Sequence, residues 1–368
     1  MKELKIGELT AKIPIVQGGM GVAISLSGLA SAVANQGGIG VISAVGIGMT
    51  EPDYIKNFKN ANKRALVKEI AKARALSPNG ILGVNLMVAL SDYDDLLKIA
   101  FDEEIDVIFI GAGLPLKIPK NIPVSTLMNT KTKILPKVSS ARAVKLIYTY
   151  WANNFNRIPD GIAIEGPMAG GHLGFKRKDL DSPFQELSEI IKETIDILKP
   201  FEDRFDQKIP VIAAGGIYTG KDMYNIMEAG ADGVKIGTRF VTTFECDADE
   251  KFKETYINAE KDDIIIIDSP VGLPGRVIRN SFVDDIIKGI QKPVSCPWKC
   301  LKTCNYKEVS FCIAQTLFNA AQGKMKEGFA FSGTNAYLAK KIYSVKEVFN
   351  QLITEYLIEK QLVGTINS

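Results

Sequence analysis

A chain of 368 residues has room for one large domain, or for one barrel with an addition. Its 45 Lys and Arg residues against 42 Asp and Glu residues leave a net charge of +3, with no basic block and no aromatic–basic interleaving, so charge gives no reason to invoke nucleic acid. No apolar run approaches the roughly 18–20 residues that cross a membrane, and the opening MKELKIGELTAKIPIV lacks the apolar core and cleavage site of a secretory signal, so the cytosol is the expected compartment and a small molecule the expected partner. Self-association stays open at this level.

In chain order, short β-branched runs predict strands over 13–17, 38–44, 81–89, 106–112, 133–138, 161–166, 209–216 and 233–240. These runs are apolar on both faces rather than alternating, the pattern of parallel strands covered on both sides. Helical spacing lies between them, for example over 26–37, 92–105, 184–199 and 220–231, the last closed by Gly230. Strand and helix repeated eight times predict an α/β fold, a TIM (β/α)8 barrel, over residues 1–258. A doubly wound open sheet is the alternative, disfavoured by the count of eight and by the placement of the glycines. Residues 259–368 do not continue the repeat. They read as a C-terminal, partly helical extension packed on the barrel, with a helical finish from Val345.

Glycines gather just after the predicted strand ends: Gly18, Gly19 and Gly21 after the first, Gly166, Gly170, Gly171 and Gly174 after the sixth, Gly215 and Gly216 after the seventh, and Gly237 after the eighth. In a barrel those loops form the active face, and glycine lets backbone amides approach a ligand closely. One Gly-Gly pair alone is more often a tight turn. Four clusters at strand ends together point to a bound cofactor, with Gly215, Gly216, Gly237 and Thr238 at the usual phosphate position of the fold.

His172 is the chain's one histidine and follows two glycines in a predicted strand-to-helix loop. That setting makes it the candidate proton-transfer residue, although an isolated histidine is more often structural. A histidine-based metal site lacks a second ligand, and no G-x-S-x-G elbow supplies a hydrolase nucleophile. Asn85, inside the third predicted strand, needs partners for its amide, from a ring edge of a cofactor or from barrel backbone. Lys137, in the fifth, either meets a charged ligand at the rim or extends outward to solvent. Glu165, at the end of the sixth, is a weaker candidate to steady His172 or a ligand hydroxyl.

Cys246 stands apart, whereas Cys296, Cys300, Cys304 and Cys312 fall within CPWKCLKTCNYKEVSFC. A chain of this length needs no disulfide staple, and the spacing is not that of a zinc ribbon. Gaps of three and four place thiols on one helical face, which favours reduced cysteines in a packed cap, the last reached through a turn. A four-thiolate iron–sulfur or zinc site is the alternative.

The ordered motifs Gln-Gly-Gly-Met-Gly, Gly-Val-Asn-Leu, Ala-Gly-Gly-His-Leu-Gly, Ala-Ala-Gly-Gly-Ile and Ile-Gly-Thr-Arg-Phe span the first two-thirds of the chain. They resemble the nitronate monooxygenase family, formerly the 2-nitropropane dioxygenases, with the FMN-dependent enoyl-acyl-carrier-protein reductase II enzymes as similar proteins. The resemblance implies an FMN-bearing TIM barrel. In it Gly19, Met20 and Gly21 contact the isoalloxazine, and Asn85 and Lys137 bond the ring or ribityl chain. Ala169 and Gly171 line the flavin, Gly215, Gly216, Gly237 and Thr238 hold the phosphate, and His172 stands beside N5. One departure is Met168, where relatives often carry Glu. The implied activity is oxidation of alkyl nitronates with O2. The alternatives are NAD(P)H-dependent reduction of an enoyl thioester or a quinone, and flavin binding without turnover.

Overall fold

The computed structural model describes residues 1–180, 185–292, 294–296 and 298–366, with backbone only at 366. Eight parallel strands close into a barrel: β1 (Ile15–Gln17), β2 (Ile39–Ser43), β3 (Ile81–Met87), β4 (Val107–Gly111), β5 (Lys133–Val138), β6 (Ile162–Glu165), β7 (Val211–Ala214) and β8 (Gly233–Ile236). Each pairs with its neighbours in sequence, and β8 returns to β1 with Lys235 opposite Val16. The fold is the predicted TIM barrel.

Burial explains why the strands read as continuous apolar runs. Val16, Val41, Val107, Leu135, Ala163 and Ile212 form an inner cluster, while Ile15, Ile42, Ile108, Ile134, Ile164 and Val211 belong to the shell beneath the helices. Adjacent residues thus face opposite dry environments, as the two-residue period of a strand demands. Each such fully buried aliphatic contributes about 1.5–3 kcal/mol. An N-terminal hairpin, Leu4–Ile6 against Leu9–Ala11, adds Leu4, Ile6 and Ala11 to the inner cluster.

The same parity carried towards the strand carboxyl ends turns Ser43, Asn85, Phe109, Gly111, Lys137, Glu165 and Lys235 inward. The apolar interior therefore gives way to a polar upper layer on one face of the barrel. Helices complete the units: α1 (Ser27–Asn35), α2 (Tyr54–Leu76), α3 (Tyr93–Asp102), α4 (Val124–Asn129), α5 (Ala141–Phe155), α6 (Leu187–Phe205) and α7 (Gly220–Glu228). The helix predicted over 184–199 is α6. It begins three residues later and runs six further, and Phe184 lies outside the described residues.

After β8 come a four-residue helical turn, Thr238–Val241, and the helix Glu250–Ile257. The following residues form β9 (Ile264–Asp268) and β10 (Pro274–Ile278), antiparallel to one another, and β10 also pairs with the two-residue strand Gly171–His172. The closing helix, Val345–Ile366, packs on α7, where the Gly220 amide donates to Glu355 Oε2 at 2.7 Å. Among the described residues no helix is long and apolar enough to cross a membrane.

Candidate active site

The loop after β1 is fixed from below. Gln17, fully buried, accepts from the Val41 amide at 2.8 Å and donates to Ser25 Oγ at 2.9 Å and to the Gly18 carbonyl. Ser25 Oγ in turn accepts from the Met20 amide at 3.0 Å. A β-carbon on Gly19 would lie 2.5 Å from Asn85 Cβ, so only glycine lets this loop cross above β3. The loop after β8 closes on the same point, since a β-carbon on Gly237 would meet Met20 Sδ at 3.4 Å.

Lys137 Nζ pairs with Glu165 Oε1 at 3.0 Å across β5 and β6. This settles two sequence-level alternatives. Lys137 lies in the upper layer of the barrel rather than extending outward, and Gly111 clears its path, because a β-carbon there would stand 2.8 Å from Lys137 Cε. Glu165 does not steady His172: it pairs with Lys137, while Ser269 holds the histidine ring. A second lysine, Lys235, donates to the Gln17 carbonyl at 3.3 Å and stacks 3.9 Å over the Phe109 ring. Burial, and then the charge of Lys137, depress its pKa to about 7, with Glu165 opposing.

His172 sits in the loop after β6 and is held by the extension. Its backbone pairs with Gly275, and the Leu173 amide donates to the Pro274 carbonyl at 2.9 Å. Its Nε2 lies 2.7 Å from Ser269 Oγ, and its ring meets Phe331 edge-to-face at 4.8 Å. Burial, reinforced by the charge of Lys137, lowers the imidazole pKa to about 4. The ring is thus neutral at pH 7, and the serine hydroxyl can donate to an unprotonated Nε2. Arg276 of β10, also buried, donates to the Pro167 carbonyl at 2.9 Å and to the Ala169 carbonyl, anchoring the Ala169–Gly171 turn.

The phosphate candidates are drawn together by the segment 332–335. The Gly333 amide donates to Thr238 Oγ1 at 2.9 Å, the Thr334 amide to the Met168 carbonyl at 3.2 Å, and the Asn335 side-chain amide to the Gly216 carbonyl at 2.7 Å. Gly215 and Gly216 both take positive φ, 99° and 79°, packed against Ala169 and Met168. The sequence-predicted residues Gly19, Met20, Gly21, Asn85, Lys137, Ala169, Gly171, His172, Gly215, Gly216, Gly237 and Thr238 all lie on loops or strand ends at the carboxyl face.

Sequence reasoning missed Gln17, Lys235, Ser269, Arg276 and Gly333. Lys235 was accessible by the argument applied to Lys137, a charged residue inside a parallel strand. Ser269, Arg276 and Gly333 reach the site only through the fold and carry no local signal.

The residues present suit a polar ligand held close to the backbone. Ser43 Oγ, opposite Asn85 on the neighbouring strand, and Ser332 Oγ, beside Gly333, are buried hydroxyls without a hydrogen-bond partner among the described residues. A β-carbon on Gly171 would meet nothing within 4 Å, so open space adjoins the histidine. Orphaned buried hydroxyls and a close-approach glycine rim are what an absent ligand with many acceptors leaves behind.

The cysteine segment packs on the same face. The Ser91 amide donates to the Cys300 carbonyl at 3.0 Å, and the Lys302 amide to the Ala89 carbonyl at 2.9 Å, just beyond β3. The one-helix-face reading of its spacing does not hold: Cys296, Cys300 and Cys304 lie in irregular chain, with Lys299 at φ 49°, and Cys312 precedes a separate helix, Ile313–Ala321. Pro297 lies outside the described residues. Burial, and then the nearby thiols of Cys312, Cys296 and Cys304, push Cys300 up to about 12.

A closed parallel barrel with a glycine-rimmed, polar mouth and one half-buried neutral histidine is the arrangement of a TIM-barrel enzyme. Residues 2–355 match the nitronate monooxygenase family, and the chain belongs to that family of flavin-dependent oxidoreductases. It is similar to a probable nitronate monooxygenase of Staphylococcus aureus (strain Newman), 27% identical over 295 residues, covering 76% of this chain and 78% of that one. It is also 25% identical over 276 residues to the (3aS,4S,5R,7aS)-5-hydroxy-7a-methyl-1-oxo-octahydro-1H-indene-4-carboxyl-CoA dehydrogenase of Mycobacterium tuberculosis. That match covers 75% of this chain and 66% of the dehydrogenase, a little under two thirds of its length. Among solved structures it is similar to FabK from Thermotoga maritima, with TM-score 0.72, 26% identity, and 97% and 96% of the two chains covered. Nitroalkane oxidase from Streptomyces ansochromogenes, at TM-score 0.72 and 19% identity, shares the fold over 96% and 98% of the chains. Membership in an enzyme family sets aside flavin binding without turnover.

Proposed function

We propose that this protein is an FMN-dependent nitronate monooxygenase, oxidising alkyl nitronates with O2. The observation that carries the reading is His172: the one histidine, half-buried, neutral, fixed through Nε2 by Ser269, and bordered by open space at the glycine-rimmed mouth. FMN, when bound, supplies a two-electron acceptor that can be reoxidised by O2.

The chain's own residues do the rest. Gly215, Gly216, Gly237 and Thr238 would hold the phosphate, and Gly19, Met20, Gly21, Asn85, Ala169 and Gly171 the ring system. FMN rather than a dinucleotide fits, because no separate G-x-G-x-x-G fingerprint follows a first strand. Lys137 and Lys235 bring positive charge to the upper layer, which suits an anionic nitronate as well as an electron-rich ring. His172, neutral and half-buried, is matched to accept a proton from a substrate carbon or to donate a hydrogen bond from its other nitrogen.

A second reading is NAD(P)H-dependent reduction of an enoyl thioester. It draws on the similarity to FabK and to a dehydrogenase whose name specifies a CoA ester. Anaerobic stopped-flow separates the two: rapid bleaching of the flavin by propionate 3-nitronate but not by NAD(P)H supports the first, and rapid bleaching by NAD(P)H overturns it in favour of the second. His172→Ala should retain FMN and lose roughly a hundredfold or more in turnover, the scale of a lost positioned acid or base. An unchanged rate would remove His172 from the chemistry.

A further inference from the structure

The proposed flavin chemistry makes no use of the four-cysteine segment. We propose that Cys296, Cys300, Cys304 and Cys312 ligate an iron–sulfur cluster at the carboxyl face of the barrel. All four line a single small cavity of about 20 Å³, walled by Pro270, Val271, Leu301 and Phe311. All four are unpaired thiols in the structure. No histidine, aspartate or glutamate lines that cavity, so the donor set is sulfur alone, which selects zinc, cuprous copper or iron–sulfur chemistry. Lys299 also lines it and places a cation beside a site made anionic by four thiolates.

Two observations separate this arrangement from a packed cap of small core residues. A packed cap needs no thiol to meet another, yet all four line the same small space. Of the four, only Cys300 is buried, at 9% exposure, whereas the other three are intermediate, unlike the deep burial usual for an inert cysteine.

A third observation separates a cluster from a single ion. A lone zinc sits about 2.3 Å from each sulfur and so draws the four sulfurs to within roughly 4 Å of one another. Among the described residues no three Cys, His, Asp or Glu side chains converge to hold one metal ion. Four thiols that line one space without closing to single-ion distances suit a larger inorganic group, around which the irregular cysteine segment would close.

The site also adjoins the active centre. Pro270 and Val271, in its wall, follow Ser269 directly, and Ser269 fixes His172. Leu301 bridges to Leu90 just past the end of β3. A cluster here would lock the turn that carries the histidine's partner.

The test is metal analysis of the full-length protein purified without oxygen, with FMN measured separately, so that the fate of the flavin reading does not bear on the result. The expectation is iron and acid-labile sulfide in equal amounts, about two or about four of each per chain as clusters on four thiolates require. A dithionite-reduced sample should give a low-temperature paramagnetic resonance signal that survives removal of FMN. Cys300→Ser and Cys312→Ser should each lose iron and sulfide while still binding FMN, which shows that the barrel has folded. Should either variant fail to fold, the wild-type stoichiometry decides. One zinc per chain overturns the proposal. So does wild-type protein that holds no iron after anaerobic reconstitution with ferrous iron and sulfide.

Discussion

The single histidine gives an unusually direct probe of the site, because its ring carbon proton yields one titrating resonance in the whole chain. Burial lowers the pKa of His172 from the ordinary 6.5 to about 4, and Lys137 adds to the effect. At about 1.4 kcal/mol per tenfold change, the neutral ring is favoured by about 3 kcal/mol. Replacing only Lys137 would strand Glu165, whose charge would itself act on the ring. The informative perturbation is therefore the double variant Lys137→Met, Glu165→Gln, which removes the ion pair and leaves burial in place. Proton NMR of flavin-free wild-type protein should show the resonance titrating near pH 4. The double variant should titrate higher but still below 6.5, because burial is the larger cause. Wild-type titration at 6.5 or above would refute the reasoning. The linkage has a definite sign: the folded state binds its proton less readily than the unfolded chain. This stabilising contribution is therefore complete above about pH 6.5 and is lost as pH falls towards 4, readable as a falling urea midpoint.

Two further outcomes follow from the geometry. Ser269→Ala frees the ring from its Nε2 partner without touching the flavin loops, so FMN content should stay at wild-type level while kcat falls roughly tenfold; loss of FMN in that variant would show that the turn serves the cofactor instead. Gly19→Ala places a β-carbon 2.5 Å from Asn85 Cβ in the loop proposed to face the ring, so the purified variant should be folded by circular dichroism but colourless, and a yellow protein with wild-type FMN content would contradict the assignment.

Much of the barrel was legible because its strands report their surroundings locally. Val107 and Ile108 are both apolar since both sides of β4 are dry, the condition under which such a short run is favourable as a strand. The glycine loops were legible for a similar reason: a positive φ at Gly215 and Gly216 and a close approach at Gly19 are constraints that only one residue type meets. The support of His172 was not. Ser269 is 97 positions away, and Arg276 meets Ala169 across 107. A serine in a turn and an arginine in a strand have many uses, and only tertiary pairing selects one. The cysteine spacing misled in its local form, because a four-residue period is also met by irregular chain that brings its thiols to one small cavity.

The strand pairing of Gly171–His172 with Gly275 and Arg276 bears on the order in which the molecule becomes competent during synthesis. Chain elongation delivers the barrel first: all eight strands are complete once Ile236 has emerged. At that moment the histidine has neither its partner strand nor Ser269, and the loops at Gly216 and Thr238 lack the segment 333–335 that ties them. A chain elongated only to that point therefore has all the strands of the barrel but not the contacts that fix the candidate site, which need nearly a hundred further residues.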